Sequence, residues 1–502
     1  MRIQEETHPD WKAIEALGIK RLTNDSRAVR PGYTFVAYPG ESRDGRDYIA
    51  QAIANGAAGV LWESAGFRWD REWLVPNIGV RNLRRHAGEI ASRILGRPSG
   101  RLRVIGVTGT NGKTTCSHWI AQALTRAGRR CALVGTLGYG LRAPFAPIAN
   151  TTPDALWLHT QLAEFARRGA QAVAMEVSSI GLDQDRVAGV EFDVALFTNL
   201  TRDHLEYHRT MRRYREAKAK LFAWETLRHA VVNLDDDFGA VLARSIRRPG
   251  LKLIGYGFGA ARGAQIARVT GANLVTGARG VGFDVRTPWG SARMSSPVLG
   301  RHNAYNLLGA LAVLLASGVP LKKAVSALAA VKPVPGRLQA LGGGAKPLIV
   351  VDYAHTPDAL KQALVTLREV ITHRSPVTSH QSRLICVFGC GGDRDRGKRP
   401  QMGRVAVRLA DRVVVTSDNP RSENPRDIIK DIVAGARGTA RSVAGGIEIE
   451  ANRRAAILNA VAGARRGDVV LIAGKGHEAY QEIRGARYPF SDAAVAREAL
   501  SQ

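Results

Sequence analysis

A chain of 502 residues, 45% hydrophobic and 23% charged, is too long for one ordinary core and too apolar for a disordered polymer, so several packed domains are expected. The formal net charge of +28 suits phosphate-rich substrates, but the arginines are scattered and no aromatic-interleaved basic tract appears, so nucleic acid is not the expected partner. The four cysteines, Cys116, Cys131, Cys386 and Cys390, include no CxxC pair and argue against a disulfide framework.

In chain order, the opening MRIQEETHPD lacks the basic, apolar and small-residue succession of a secretory signal, so a cytoplasmic protein is expected. Pro31-Gly32 marks a turn before a β-prone run at 33–38, an amphipathic helix is predicted over 48–56, and a strand over 59–62. GRPSG at 96–100 reads as a linker. A strand at 103–107, a glycine-rich loop and a helix from Thr114 to about Ala127 follow, then buried strands at 172–177 and 194–198. The longest apolar run, 307–319, is shorter than the roughly 20 residues a bilayer span needs, so no membrane insertion is expected. KPVPGR at 332–337 is the predicted hinge to a second sheet, whose strands are LIVVDYA, LICVFG, RVVVTS and VVLIAG. Each of these runs ends in small or polar residues, which places functional loops at strand C-termini. The expected fold is α/β in three domains, 1–99, 100–334 and 335–502, with parallel sheets in the second and third.

GVTGTNGKTT at 106–115 lies between a predicted strand and a predicted helix, the setting of a triphosphate cradle. Backbone N–H groups of Gly109, Thr110, Asn111, Gly112 and Thr115 can face phosphates, Lys113 can neutralise them, and the Thr114 hydroxyl can ligate Mg2+. A strict GxxxxGK[ST] loop requires glycine where Val107 stands. After the strand AVAMEVSS, Glu176 stands near the strand end, and NLTRDHLEYH then offers Asp203 and His204. Alone, such a histidine is more often a structural hydrogen-bonder than a ligand of Mg2+, which prefers oxygen.

The TGTNGKTT loop, followed by EVSS, NLTRDHLEYH and YREAKAKLF at 214–222, resembles the Mur ligases and their folylpolyglutamate synthase relatives. The resemblance implies ATP and Mg2+ as cofactors, a P-loop ATPase-like central sheet, a uridine-nucleotide-binding N-terminal domain and a Rossmann-like C-terminal sheet. It implies that Glu176 and His204 join Thr114 in holding metal, and that Lys218 is carbamylated by CO2, so that a lysine supplies negative charge. Ser178, Arg186, Asn150, Thr151 and Thr152, with Lys218, match positions that contact the sugar-peptide precursor, and Ser26 fits the uridine-binding region, with Arg27 and the run 44–46 beside it. Ile180 stands where many relatives have histidine and receives no polar role.

Asn303 and Asn306 can read an adenine edge or merely cap a helix. Arg337, Asp352 and His355 resemble the family's nucleotide-closing elements, and residues from a separate domain complete a site only on closure. Three loops follow strands of the second sheet: the first carries Arg394, the next Asp418, Asn419, Pro420 and Arg421, and the last Gly474 and Glu478. DNPR at 418–421 resembles the element by which diaminopimelate-adding members recognise their amino acid. A planar guanidinium at Arg421 can grip a distal carboxylate in two places, and Glu478 can receive an ammonium.

The implied partners are ATP, UDP-MurNAc-L-Ala-D-Glu and meso-diaminopimelate, acted on by a monomer through an acyl phosphate. Two readings of the same class stay open: a lysine-adding member and a folylpolyglutamate-type ligase. A basic P-loop ATPase acting on nucleic acid is the rival from another class, and it predicts hydrolysis stimulated by DNA or RNA with steep salt dependence.

Overall fold

The computed structural model describes residues 9–41, 43–259, 266–277, 280–372, 382–436 and 446–501. Among these, the strands form four sheets. The first contains β1 (Arg21–Thr23), β2 (Tyr33–Ala37), β3 (Gly59–Glu63) and β4 (Asn77–Val80), in that order and all parallel. Glu63 ends β3 buried and accepts the N–H groups of Asn82 and Leu83 at 3.1 and 2.8 Å, which fixes the start of the helix Leu83–Ile94. The expected linker at 96–100 is instead a packed elbow. Pro98 and Ser99 are buried in a 3-10 turn, and the Ser99 hydroxyl accepts the Glu191 N–H at 3.1 Å.

The second sheet contains β5 (Arg103–Thr108), β6 (Cys131–Gly135), β7 (Gly138–Gly140), β8 (Ala172–Glu176), β9 (Val194–Phe197), β10 (His229–Asn233), β11 (Lys252–Gly257), β12 (Ala267–Gly277), β13 (Gly280–Thr287) and β14 (Gly290–Ser296). Their order is β14-β13-β12-β11-β10-β9-β5-β8-β6-β7. Strands from β12 to β6 run parallel, with β13, β14 and β7 as antiparallel additions. Successive residues bury on opposite faces, as a strand's period of two requires. Ile105 and Val107 pack with the helices Lys113–Arg126 and Arg301–Ala316, whereas Val104, Val173 and Met175 pack with Leu158, Leu162 and Phe165 of the helix Ala155–Arg167. The apolar run at 307–319 is thereby explained, because its helix is buried on nearly every side. No helix among the described residues is long and apolar enough to cross a membrane.

The third sheet contains β15 (Gln339–Gly342), β16 (Leu348–Asp352), β17 (Leu384–Phe388), β18 (Arg412–Val415), β19 (Ile447–Ile449) and β20 (Val469–Ala473). The order is β15-β16-β20-β17-β18-β19, parallel except for β15 against β16. Helices cover both faces, with Val350, Cys386 and Leu471 in one core and Ile349, Ile385 and Val470 in the other. The four expected runs are β16, β17, β18 and β20. A hairpin, β21 (Tyr480–Ile483) with β22 (Ala486–Pro489), lies beyond.

Candidate active site

β5 connects to β6 on one side and its neighbour β9 connects to β10 on the other, so the sheet reverses direction between them, the switch point at which open α/β sheets bind ligands. The loop after β5 is shaped by two glycines. A Cβ on Gly109, at φ +146°, would lie 1.9 Å from the Thr198 hydroxyl, and one on Gly112, at φ +86°, 2.5 Å from Asn306 Oδ1. Lys113 donates to the carbonyls of Gly109 at 2.9 Å and Thr110 at 2.8 Å, folding back over the loop. Burial pushes its ammonium below the ordinary lysine range, opposed by the charges of Glu176 and Asp203.

Glu176, 0% exposed at the end of β8, is held on both oxygens. Oε2 accepts the hydroxyls of Thr114 at 3.0 Å and Thr136 at 3.1 Å, and Oε1 accepts the Thr136 N–H at 2.8 Å. Thr151 meets the Thr136 hydroxyl at 3.0 Å, while Thr152 donates to the Glu176 carbonyl at 2.9 Å and lies 3.1 Å from Ser178 Oγ. Arg186 donates to the Thr152 carbonyl at 3.0 Å. The structure therefore gathers Thr151, Thr152, Ser178 and Arg186 beside Glu176, whereas Asn150 is exposed.

Lys218 is 1% exposed, so the solvated lysine that composition suggests is not found. Its Nζ donates to the Gly109 carbonyl at 2.9 Å and lies 4.4 Å from the centre of the Tyr214 ring. Burial, reinforced by Lys113 and opposed by Asp203, depresses its ammonium well below the ordinary lysine range. His204 caps a short helix in the left-handed region at φ 53°. Its ring lies 3.5 Å from Asp203 and 3.6 Å from Glu206, with no hydrogen bond to Thr114 or Glu176. Burial would raise the Asp203 carboxyl, but His204, His355, Lys398 and Lys113 together pull it down to about 2.

Two cavities meet here. The first, about 410 Å3, is lined by Asn111, Gly112, Thr114, Asn303, Arg337 and Asp352. Arg337 donates to the Thr114 hydroxyl at 3.1 Å, and Asp352 accepts the Leu338 N–H at 2.7 Å. Asn303 donates to the Leu299 carbonyl at 2.8 Å and accepts Asn306 at 3.0 Å, while Gly300 is the helix cap, so neither asparagine is a simple cap. The second cavity, about 260 Å3, is lined by His204, His355, Arg394, Asn419, Arg421 and Glu478. Burial drives the His355 ring to about 4, and its Nδ1 lies 2.9 Å from the Tyr353 carbonyl. Tyr353 lines both cavities and forms their common wall.

All three strand-end loops reach the second cavity. Arg453, buried, ties two of them together: it pairs with Asp492 through two bonds of 2.8 Å and donates to the carbonyls of Ser417, just after β18, and Ala473, at the end of β20. Asp418 turns inward, accepting the Asn419 N–H at 2.7 Å, and a Cβ on Gly474 would lie 2.4 Å from its Oδ2. Pro420 is buried, its carbonyl against Gly392. Arg421 donates to the Gly392 carbonyl at 2.7 Å and lies 3.7 Å from Glu482, so its guanidinium is anchored at the cavity edge. Arg394 is exposed at the rim, bonded to the Asp393 carbonyl at 3.4 Å. Sequence reasoning missed Thr136, Tyr353, Arg453 and Lys475. Only the positions of Tyr353 inside LIVVDYA and of Lys475 between Gly474 and Glu478 pointed to them.

The expected precursor end is less assembled. Ser26 is buried and donates to Gln51 at 2.7 Å, Arg27 pairs with Asp25 at 2.9 Å, and Asp44 pairs with Arg46 at 2.7 Å. Asn24 donates to Asp154 at 2.9 Å and Gln184 to Glu41, which ties the first sheet to the second. Asp154 also caps the helix Ala155–Arg167.

Among the described residues, no group of three or more His, Cys, Asp or Glu side chains forms a ready metal cluster. Mg2+ commonly takes one or two carboxylates together with substrate phosphates, and the adjoining Thr114 and Glu176 oxygens fit that donor set.

Comparison with known proteins agrees with this architecture. The Mur ligase middle domain model matches residues 107–314, the Mur ligase glutamate ligase domain model residues 336–476, and the Mur ligase family catalytic domain model residues 18–94. The UDP-N-acetylmuramoyl-L-alanyl-D-glutamate--2,6-diaminopimelate ligase of Nitrosomonas europaea is 50% identical over 490 residues, covering 96% of this chain and 93% of the relative. The ligase of the same name from Chromobacterium violaceum is 51% identical over 498 residues, covering 98% and 97%. A solved structure bearing that name is 38% identical, with TM-score 0.68 over 96% of this chain and 94% of the other. A Thermotoga maritima MurF ligase in complex with ADP, 18% identical with TM-score 0.62 over 97% of each chain, shares the fold. The chain belongs to the Mur ligase family of ATP-dependent ligases.

Proposed function

We propose that the protein joins meso-diaminopimelate to the D-glutamate of UDP-MurNAc-L-Ala-D-Glu at the cost of ATP, in the cytoplasm and as a monomer, during peptidoglycan precursor synthesis. The observation that carries this reading is the cavity shared by Arg394, Asn419, Arg421 and Glu478, which has Tyr353 in common with the nucleotide cavity. Nucleotide and amine can then approach one carboxyl from two sides. Division of the chain near residues 99 and 334 supports the same reading, since each segment carries its own sheet.

The glutamate side-chain carboxylate attacks the γ-phosphorus, the bond to the bridging oxygen breaks, and ADP leaves with that electron pair. An acyl phosphate remains. The amine then attacks its carbonyl carbon, phosphate departs with the C–O electrons, and the nitrogen loses a proton. Lys113, Arg337 and the loop N–H groups stabilise charge on the transferred phosphoryl group. Thr114, Glu176, His204 and a carbamate on Lys218 are the groups that would hold Mg2+, which when bound neutralises phosphate oxygens. The burial of Lys218, which shifts its amine toward the unprotonated form that adds to CO2, supports carbamylation. Arg394, Asn419, Arg421 and Glu478 orient the incoming amine, supplying proximity.

A phosphate-release assay with the dipeptide precursor and a panel of amino acids tests the reading. Release that requires both precursor and diaminopimelate is expected. Release with lysine alone, or stimulation by nucleic acid without precursor, overturns it.

A further inference from the structure

Lys475 belongs to the loop after β20 and is 0% exposed. A buried ammonium persists only when paired and hydrogen-bonded. Here Nζ donates to Asn419 Oδ1 at 2.8 Å and to Glu478 Oε2 at 2.9 Å, with the Tyr480 ring centre 5.6 Å away. Asn419 Nδ2 closes the triangle by donating to the same Glu478 Oε2 at 2.8 Å. Asn419 Oδ1 also accepts the Glu482 N–H at 2.9 Å.

This arrangement has a direction. Two donors on Oδ1 force the Asn419 amide to turn its NH2 toward Glu478, so the orientation is set by the network. Two donors on Glu478 Oε2 leave Oε1 without a hydrogen-bond partner among the described residues. The second N–H of Asn419 is likewise left over, because only one is used. Both residues line the second cavity. An anionic acceptor beside an amide donor is complementary to an α-amino-acid centre, with its ammonium on Oε1 and its carboxylate on the N–H.

We propose that Lys475 is a positioning residue that fixes the polarity of this acceptor–donor pair and thereby sets selection of the amino acid, in particular the handedness of the centre that is bound. The proposal rests on the ligase reading above. Lys475 lines neither cavity and acts through Asn419 and Glu478. Without it, the Glu478 carboxylate can rotate and the Asn419 amide can reverse.

The test uses the full chain with Lys475→Met and Lys475→Arg, assayed by phosphate release against meso- and LL-diaminopimelate, ATP and precursor. Loss of one charge-assisted pair predicts a rise in KM for meso-diaminopimelate of about 10- to 100-fold in the methionine variant, with KM for ATP within about twofold. Arginine keeps the charge but moves the donors, so a smaller rise is expected, and the preference for meso over LL falls in both. Lys475→Met and Glu478→Gln are expected to be non-additive when combined, because one acts through the other. If the methionine variant does not fold, the arginine variant decides by the same readings. Unchanged amino-acid KM and stereochemical preference in a folded variant, with normal wild-type use of diaminopimelate, overturn the proposal alone. A wild type that accepts only another amino acid overturns the diaminopimelate reading, and the Lys475 comparison is then made with that amino acid.

Discussion

Arg337 donates to the hydroxyl of Thr114 at 3.1 Å although 223 residues separate them, so the hinge side of the third sheet already touches the phosphate loop of the second. The guanidinium also lies 4.5 Å from the Tyr353 ring centre, and its Nε is buried without a hydrogen-bond partner among the described residues. Arg337→Ala is expected to lower kcat/KM for ATP by about 10- to 100-fold, the size of a charge-assisted hydrogen bond. Arg337→Lys recovers little, because an ammonium cannot reproduce a stacked planar fork. Steady-state ATP titrations decide, and wild-type kinetics in the alanine variant would show that the contact is idle.

What could be read from residues alone follows physical locality. The phosphate loop and the strands β5, β8, β16, β17, β18 and β20 were legible because parallel strands buried on both faces are continuous apolar runs. β12 and β14 were not, since their Gly, Ser, Thr and Arg leave few apolar positions, and β13 was passed over although Val281, Phe283 and Val285 alternate with a strand's period of two. Nothing local marks Lys218 or Lys475 as buried. Lys218 stands among charged neighbours and Lys475 between glycines, and each is covered by a distant segment. GRPSG has a linker's composition, yet Ser99 is docked on Glu191, a contact no local pattern reveals.

Gly109→Ala tests the loop geometry without altering charge. The added methyl would overlap the Thr198 hydroxyl at 1.9 Å, and φ +146° is strained for alanine. Loss of nucleotide binding is expected while the unfolding temperature changes by a few degrees, measured by fluorescent-nucleotide titration beside calorimetry. Retained nucleotide affinity would mean that the loop is not the cradle.

Lys218→Ala is expected to reduce kcat by about a thousandfold, comparable with removing a strong electrostatic group from a catalytic site. Short carboxylic acids should restore part of it by supplying the missing anion beside Gly109. Full activity in the unrescued variant refutes the carbamate. Mass spectrometry of the native protein reads the modification directly.

Acid stability follows from buried imidazoles. Burial lowers His118, His159, His302 and His355 from 6.5 to about 4, so between these values the folded state binds fewer protons than the unfolded chain. Stability therefore rises with pH through this window and is lost on acidification from pH 6.5 toward 4, by up to roughly 3 kcal/mol per histidine. The depressed Asp203 carboxylate acts lower, its contribution being lost only as pH falls from 3.8 toward about 2. His159 is fully buried and its Nε2 lies 2.8 Å from the Ala188 carbonyl, a bond glutamine can make. His159→Gln should flatten the decline of melting temperature between pH 6.5 and 4. Parallel wild-type and variant curves would place the sensitivity elsewhere.

We propose that Arg421 decides which amine is accepted. Its backbone is held at φ 51°, bonded through N–H to the Glu482 carbonyl at 3.0 Å and through its own carbonyl to the Arg484 N–H at 2.7 Å. Nη1 is spent on the Gly392 carbonyl and Nε faces Glu482 at 3.7 Å, which leaves Nη2 for a carboxylate entering from the cavity. Lysine lacks the distal carboxylate of diaminopimelate and gains nothing from that grip. Arg421→Ala is therefore expected to raise KM for diaminopimelate by about 100-fold or more, leave lysine use nearly unchanged and alter KM for ATP by less than about threefold. Side-by-side titrations of the two amino acids separate this from general damage, since a merely misfolded cavity would depress both equally. An unchanged ratio between them would remove Arg421 from recognition and return it to its contacts with Gly392 and Glu482.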